Sequence, residues 1–351
     1  MKVSIITTIY KAEKDLPRLL DSMMALKSSE LEFFLIDNGS PDRCGEICVE
    51  YAKRDSRFVV RTIKDNIGYI GARMFGIREC DGDYVGFSDS DDYLEPGGYD
   101  RAVEVIKQYD CDLYITAYHV HAGEEVGTHL PPYAPGVYVG ERIINVIRPQ
   151  AFGFIKGRDR LHGFMWKQVY RRSILINNDI TLLEDVKPWE DQLFNIDMID
   201  HCECIYVDNQ VIYNYFANTE SITANVFKNF DAQDFWNKTR RLYTEREKRT
   251  VSRIESMANA NASLYNLDTL TVSLCKNESM ESSSIADVLR CLLSKDAVAH
   301  DILSKSSNRG LSKRLRFVRI CLALKWYNLL VLIARHKLGI SKKPIIEETR
   351  D

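Results

Sequence analysis

Between residues 3 and about 118, short β-branched apolar runs alternate with stretches whose apolar residues return at helical spacing. That alternation predicts βα units feeding a largely parallel sheet. Strands are read at 3–9, 31–37, 58–63, 83–88 and 112–117, and helices at 16–26, 43–54, 70–80 and 99–109. Ser40 followed by Pro41 reads as the cap and first residue of the second helix. Gly and Pro clusters across 119–160 break the rhythm and predict a loop or hairpin over the sheet, with scope for a mobile lid. Helical spacing returns at 165–175 and at 188–200, the latter opened by Pro188, and strands follow at 204–208 and 211–216. From about 229 to 338 only helices are read, separated by Ser/Asn-rich joints at 277–284 and 304–310.

A length of 351 residues suits two domains, or one domain and a tail. With 45% hydrophobic and 28% charged residues the chain reads as soluble and globular, which excludes a disordered or collagen-like protein. The balance of 47 Lys+Arg against 50 Asp+Glu offers no general attraction to nucleic acid, and none is expected as a partner. Nine cysteines in irregular spacing, without a CxxC pair, argue against structural zinc and for reduced thiols in a cytoplasmic protein. The first apolar run has no cleavage region after it and reads as a buried strand, and no run is long enough to predict a membrane span.

Candidate chemistry gathers where the predicted strands end, which is where open α/β sheets hold their ligands. The first strand ends at Thr8-Ile9-Tyr10, the second at Asp37-Asn38-Gly39-Ser40, and the fourth at Asp89-Ser90-Asp91-Asp92. Each alone could be an ordinary turn. Three carboxylates in four residues repel one another unless a cation or solvent relieves them, and Mg²⁺ or Mn²⁺ suits so sparse a site. Leu94 stands where a calcium loop needs glycine, GxxxxGK is absent, and Gly68-Tyr69-Ile70-Gly71 lacks dinucleotide spacing. EF-hand, P-loop and nicotinamide-binding readings all lose ground.

Taken in order, Val3–Ile9 with Tyr10, Leu35-Ile36-Asp37-Asn38-Gly39-Ser40-Pro41-Asp42, Asp65-Asn66 with Gly68 and Ala72-Arg73, and Phe87-Ser88-Asp89-Ser90-Asp91-Asp92 resemble the family 2 glycosyltransferases. The likeness covers roughly 1–120 and continues more weakly through Trp166-Lys167 and Trp189-Glu190-Asp191 to about 223. It implies an α/β fold of the GT-A type with a helical C-terminal extension. The catalytic domain would span 1–225, with 1–118 binding the nucleotide-sugar and 119–225 facing the acceptor, and a helical region would fill 226–351. The implied reaction is metal-dependent, inverting transfer from a UDP-sugar to a glycan or lipid-linked acceptor in surface polysaccharide or glycoconjugate assembly, with Mn²⁺ or Mg²⁺ as cofactor. By the same resemblance Thr8, Ile9 and Tyr10 line the nucleotide, Asp37 bonds the base, and Asn38, Asn66 and Ser90 belong to the donor site. Arg73 helps hold the nucleotide-sugar, Asp89 faces the ribose or sugar, and Asp91 reaches the metal. Many relatives carry Asp-Asp or Asn-Asp where this chain has Asp37-Asn38, and an amide cannot share a carboxylate's charge.

Expelling a diphosphate, whose charge a metal neutralises, needs no general acid, so one base suffices where a glycosidase needs two carboxylates. The resemblance assigns that base to Asp191, with Glu190 supporting it or binding acceptor. The plainer alternative is two acids favouring a helix N-terminus. Lys167 either approaches the phosphates or is a solvated lysine, and Tyr213, Tyr215, Ser221 and Thr223 are similar to the strand that closes these sites. Residues 216–220 contain no histidine, so a histidine metal ligand is not expected there, and His119, His121, His129 and His162 read as structural or solvated. Two rivals remain: a catalytically silent nucleotide-sugar-binding or scaffold protein, and a sugar nucleotidyltransferase, for whose triphosphate no glycine-rich loop is seen.

Residues 309–343 hold ten Lys and Arg and no acid, interleaved with Leu, Ile, Phe and Trp. This end reads either as an interfacial helix on an anionic membrane, making the protein peripheral on the inner face, or as a packed helix with solvated charges.

Overall fold

The computed structural model describes residues 1–153, 163–187, 189–217, 230–277, 280–308 and 311–338. His162, Pro188, Ser221, Thr223, Arg309, Lys342 and Lys343 lie outside them. Strands β1 (Val3–Ile9), β2 (Leu31–Asn38), β3 (Phe58–Ile63) and β4 (Tyr84–Asp89) run parallel, connected by α1 (Leu16–Met24), α2 (Cys44–Arg54) and α3 (Gly68–Glu79). Every residue of β2 is buried, the pattern of a parallel strand covered on both faces. There follow β5 (Tyr93–Leu94), α4 (Gly98–Tyr109), β6 (Leu113–Ala122), β7 (Glu125–His129), β8 (Gly136–Val139) and α5 (Arg148–Phe152). Then come β9 (Gln168–Arg171), α6 (Arg172–Asn177), α7 (Glu190–Asp200) and β10 (Cys204–Phe216). The sheet order is β3-β2-β1-β4-β9-β6-β10-β5, with β7 paired to β6 and β8 to β10.

Three local readings are corrected. Helix α2 starts at Cys44, not at Pro41. The Ser40 amide donates to Asp37 Oδ1 at 3.0 Å, which closes a turn, and the Ser40 hydroxyl points to the Ile9 carbonyl instead of capping. Asp42 takes over near the helix start, its Oδ1 accepting from the Cys44 amide at 3.3 Å. Residues 165–175 are not one helix: a single 3₁₀ turn (Met165–Lys167) leads into β9, which lies antiparallel between β4 and β6. Sheet pairing overrides the helical spacing there, and Arg171 Nε locks the strand to Asp112 Oδ1 at 2.7 Å. The two short strands expected after 204 are one strand, β10, whose pairing with β6 shifts register between Val207 and Tyr213.

Gly39 stands at φ +73°, and a Cβ there would lie 2.9 Å from the Asn66 amide nitrogen. Gly39→Ala therefore strains the backbone and pushes 64–66 away, and should destabilise by about 1–3 kcal/mol, read by denaturant unfolding. An unchanged midpoint would refute this.

The chain divides into two compact units, the first holding the sheet and the second the helices after β10. These are α8 (Ala232–Lys248), α9 (Arg253–Cys275), α10 (Ser282–Leu293), α11 (Ala297–Lys305), α12 (Lys313–Ala323) and α13 (Tyr327–Lys337). Asp231, Ser252, Asp296 and Ser312 cap α8, α9, α11 and α12 by accepting amide hydrogens of the first turn. Helix α9 is the centre, packing against α8, α11, α12 and α13. Among the described residues no helix is long and apolar enough to cross a membrane.

Candidate active site

Parallel register brings the polar strand ends together. Ile9 pairs with Asp37 and Thr8 with Asp89, so the carboxyl ends of β2, β1 and β4 form one edge. Asp37 is buried there, and a Cβ on Gly45 would sit 2.8 Å from its Oδ2. Glycine at 45 thus lets α2 pass close to that carboxylate. Tyr10 is exposed just beyond, with Lys11 Nζ 5.2 Å from its ring centroid. Asn38 is buried and looks sideways: its Nδ2 donates to Asn66 Oδ1 (3.3 Å) and the Gly68 carbonyl (3.2 Å), and its Oδ1 accepts from the Ile67 amide (3.0 Å). Asn66 Oδ1 also accepts from the Gly68 amide at 2.8 Å. Both amides are thereby engaged in shaping the 64–68 loop that leads into α3.

The acidic run separates into different environments. Asp92 is buried, accepting from the Tyr213 hydroxyl and the Phe216 amide, each at 2.7 Å. Tyr213 Oη in turn accepts from the Asp89 amide at 2.9 Å. The fourth residue of the run therefore anchors β10 to the loop, and burial, then Asp89 and Asp91, push its pKa up to about 8. Ser90 and Asp91 are part-exposed at the turn. The Asp91 carbonyl accepts from Arg18, whose guanidinium lies 4.0 Å from the Phe216 ring centroid.

Two further carboxylates, Glu190 and Asp191, arrive through α7. Arg73 on α3, 7% exposed, donates through Nη2 to Asp89 Oδ1 at 2.7 Å and through Nη1 to Asp191 Oδ1 at 3.3 Å. One guanidinium thus spans the end of β4 and the first turn of α7. Burial acts to lower the Arg73 pKa, but Asp89 and Asp191 hold it above its ordinary value. Burial pushes Asp191 up to about 7; Arg73 opposes this, while Glu190 and Asp89 add to it. The Asp191 side chain keeps 19% of its surface, so it remains reachable. Glu190 is more deeply placed: Tyr69 donates to its Oε1, while its Oε2 is buried without a hydrogen-bond partner among the described residues. Lys187 Nζ lies 4.8 Å over the Tyr69 ring.

A hard divalent cation fits this loop. Among the described residues the Asp91 side chain makes no salt bridge, and burial, then Asp89, raise its pKa. Arg18 offsets part of this, and a carboxylate that stays crowded is what a cation relieves. No group of three or more metal-ligating side chains stands among the described residues. Mg²⁺ and Mn²⁺ take one or two carboxylates and complete their shell with phosphate and water.

Sequence reasoning placed Thr8, Ile9, Asp37, Asp89 and Asp91 on one sheet edge and named Arg73 and Asp191, which the fold joins. It missed Arg18, Tyr69 and the anchoring by Asp92, because each acts through a partner remote in sequence. Lys167 is buried, its carbonyl accepting from Thr116 Oγ1 at 2.7 Å and its Nζ 5.8 Å from the Tyr118 ring centroid. Trp166 stacks on Tyr213, with ring centroids 4.5 Å apart. His121 stacks on Phe216 at 4.4 Å and meets Asn214 Oδ1 at 2.9 Å, and His119 meets Thr128 Oγ1 at 3.0 Å.

Comparison with known proteins bears on the family and the fold. Residues 4–176 match the sequence model described as Glycosyl transferase family 2. The chain is 30% identical over 229 residues to the uncharacterized glycosyltransferase EpsJ of Bacillus subtilis (strain 168), a match covering 64% of each chain, so just under two thirds of that relative. Among solved structures, Staphylococcus aureus TarS 1–349 in complex with UDP-GlcNAc superposes with a TM-score of 0.68 at 19% identity, covering 98% of this chain and 93% of that one. The mannosyltransferase PcManGT from Pyrobaculum calidifontis, in complex with GDP-Man and Mn²⁺, superposes at 0.51 with 13% identity, covering 97% and 88%. The fold is a TarS-like GT-A fold with a helical C-terminal region. The family pattern runs from the first strand into α6 on that fold, and residues 4–176 make this a glycosyl transferase family 2 protein over that region.

Proposed function

We propose that this protein is a metal-dependent, inverting glycosyltransferase that moves a sugar from a UDP-sugar to a hydroxyl of a glycan or lipid-linked acceptor. Its setting would be surface polysaccharide or glycoconjugate assembly at the cytoplasmic side of the membrane. The observation that carries the reading is the Arg73 bridge, which fixes a donor-side carboxylate, Asp89, and a reachable acceptor-side carboxylate, Asp191, on one cation. The UDP-GlcNAc held by the TarS structure supports a UDP-sugar donor, and the Mn²⁺ in the PcManGT complex supports a divalent cofactor.

In this reading residues 1–118 bind the nucleotide-sugar, 119–225 face the acceptor, and 226–351 form an appendage. Thr8, Ile9 and Tyr10 line the nucleotide, Asp37 accepts a hydrogen bond from the base, and Asn38 and Asn66 hold the adjoining loop. Asp89, steered by Arg73, meets the ribose or sugar beside Ser90. Asp91 would hold Mg²⁺ or Mn²⁺, which supplies positive charge to the departing diphosphate. Asp191 takes the proton of the acceptor hydroxyl as that oxygen bonds to the anomeric carbon and the bond to the diphosphate breaks, inverting the centre. Glu190, tied to Tyr69, keeps the first turn of α7 in place.

The test is UDP release across a panel of nucleotide sugars with Mn²⁺ or Mg²⁺ and with EDTA. Release from a UDP-sugar that EDTA abolishes is expected. UDP-sugar binding by calorimetry without release, whatever acceptor is added, would favour a silent binding protein.

A further inference from the structure

We infer that α12 and α13 carry a docking face for an anionic lipid bilayer, a property independent of the transfer reaction. One side of this pair is committed to the fold: Leu315, Val318, Leu322, Leu330, Val331 and Ala334 are buried. Part of the basic charge is committed too. Arg314 pairs with Asp268 (2.7 Å), Arg319 donates to Ser306 Oγ (2.9 Å), and Arg335 donates to Ser282 Oγ and the Asn277 carbonyl (both 3.2 Å).

What remains outward is a different set. Ile320, Leu324, Trp326, Leu329 and Leu332 are 38–51% exposed. Ile320 and Leu324 are four apart and Leu329 and Leu332 three apart, so each pair lies along one helix face. At the joint Lys325 adopts φ +58°, turning the chain so that Lys325 and Trp326 both stand exposed. Lys313, Arg316 and Lys337 are also exposed. Apolar side chains with a Trp, flanked by lysines, suit the headgroup boundary, where rings and aliphatic stems enter the acyl region and cations meet lipid phosphate. A cavity of about 260 Å³ lies beside Lys313 and Lys337; Phe317, Leu330 and Ile333 line it together with the Arg314–Asp268 pair, so its one carboxylate is already matched by a cation. No carboxylate occurs between residues 309 and 343 to repel an anionic surface. A second copy is the poorer occupant, because two-fold pairing would set this basic face against itself.

The test uses the full chain in vesicle flotation, comparing phosphatidylcholine with phosphatidylcholine plus phosphatidylglycerol, at low and high salt. The wild type should float with the anionic vesicles only and be released by salt. Leu324→Glu/Trp326→Glu, and separately Lys313→Glu/Lys325→Glu/Lys337→Glu, should each weaken binding at least about tenfold while circular dichroism stays unchanged. All five positions are exposed, so neither variant removes core packing. Equal flotation with neutral vesicles, or unchanged flotation of both variants, would overturn the proposal. So would a dimer in gel filtration that the Leu324→Glu/Trp326→Glu variant abolishes, without vesicle binding by the wild type. Loss of UDP release bears on the enzymatic reading alone.

Discussion

Asp191→Asn is expected to lower sugar transfer by about 10²–10⁴-fold, the range for removing a general base. UDP-sugar affinity should stay within about threefold, since the change strikes the transition state and not ground-state binding of the donor. The asparagine keeps the shape and can still accept from Arg73, so the site should stay assembled. Because burial pushes the Asp191 carboxyl up to about 7, wild-type kcat/KM should rise with pH to a plateau above about pH 7, and the variant should lose that limb. The sign for stability runs the other way. A carboxyl raised in the folded state holds a proton that the unfolded chain has already released, so its favourable contribution is present at low pH and lost as pH rises towards 7. Asp191→Asn should therefore not lower the melting temperature at pH 8. Full activity in the variant, or loss of activity together with loss of donor binding, would remove Asp191 from the role of base.

Asp91→Asn is expected to cost about 10²–10³-fold in metal-stimulated transfer, in line with losing a preorganised charge at the leaving group. Unlike Asp191→Asn, it should also weaken UDP-sugar binding and make that binding indifferent to Mn²⁺. The cleanest measurement needs no turnover: Mn²⁺ with UDP should raise the melting temperature of the wild type and leave the variant's unchanged. Without metal the variant should be at least as stable as the wild type, because the Asp91 carboxylate makes no salt bridge among the described residues and burial disfavours its charge. A metal-dependent shift that survives the substitution would place the cation elsewhere.

Much of the site was legible because its signals are local. Val3–Ile9 reads as a buried strand from its own composition, and Asp37 and Asp89 read as ligand-side residues because they end strands. The reading failed at Ser40, whose amide is drawn into a turn by Asp37, and at 165–175, where pairing with β4 and β6 outweighs helical spacing. Asp92 was counted with its neighbours until Tyr213 and Phe216, more than a hundred residues on, claimed its carboxylate.

The sequence by itself determined the α/β plan, the family pattern and the set of polar residues available at the strand ends. Those properties depend on composition and spacing within a few residues, where periodicity and turn chemistry act. Only the tertiary structure decided which of those residues share charge: Arg73 meets Asp89 sixteen positions away and Asp191 a hundred and eighteen away. It also decided which bases of the C-terminal helices turn inward to Asp268 and Ser306 and which face solvent. Burial and ion pairing are set by whatever the fold brings within a few ångströms, and no one-dimensional spacing specifies that.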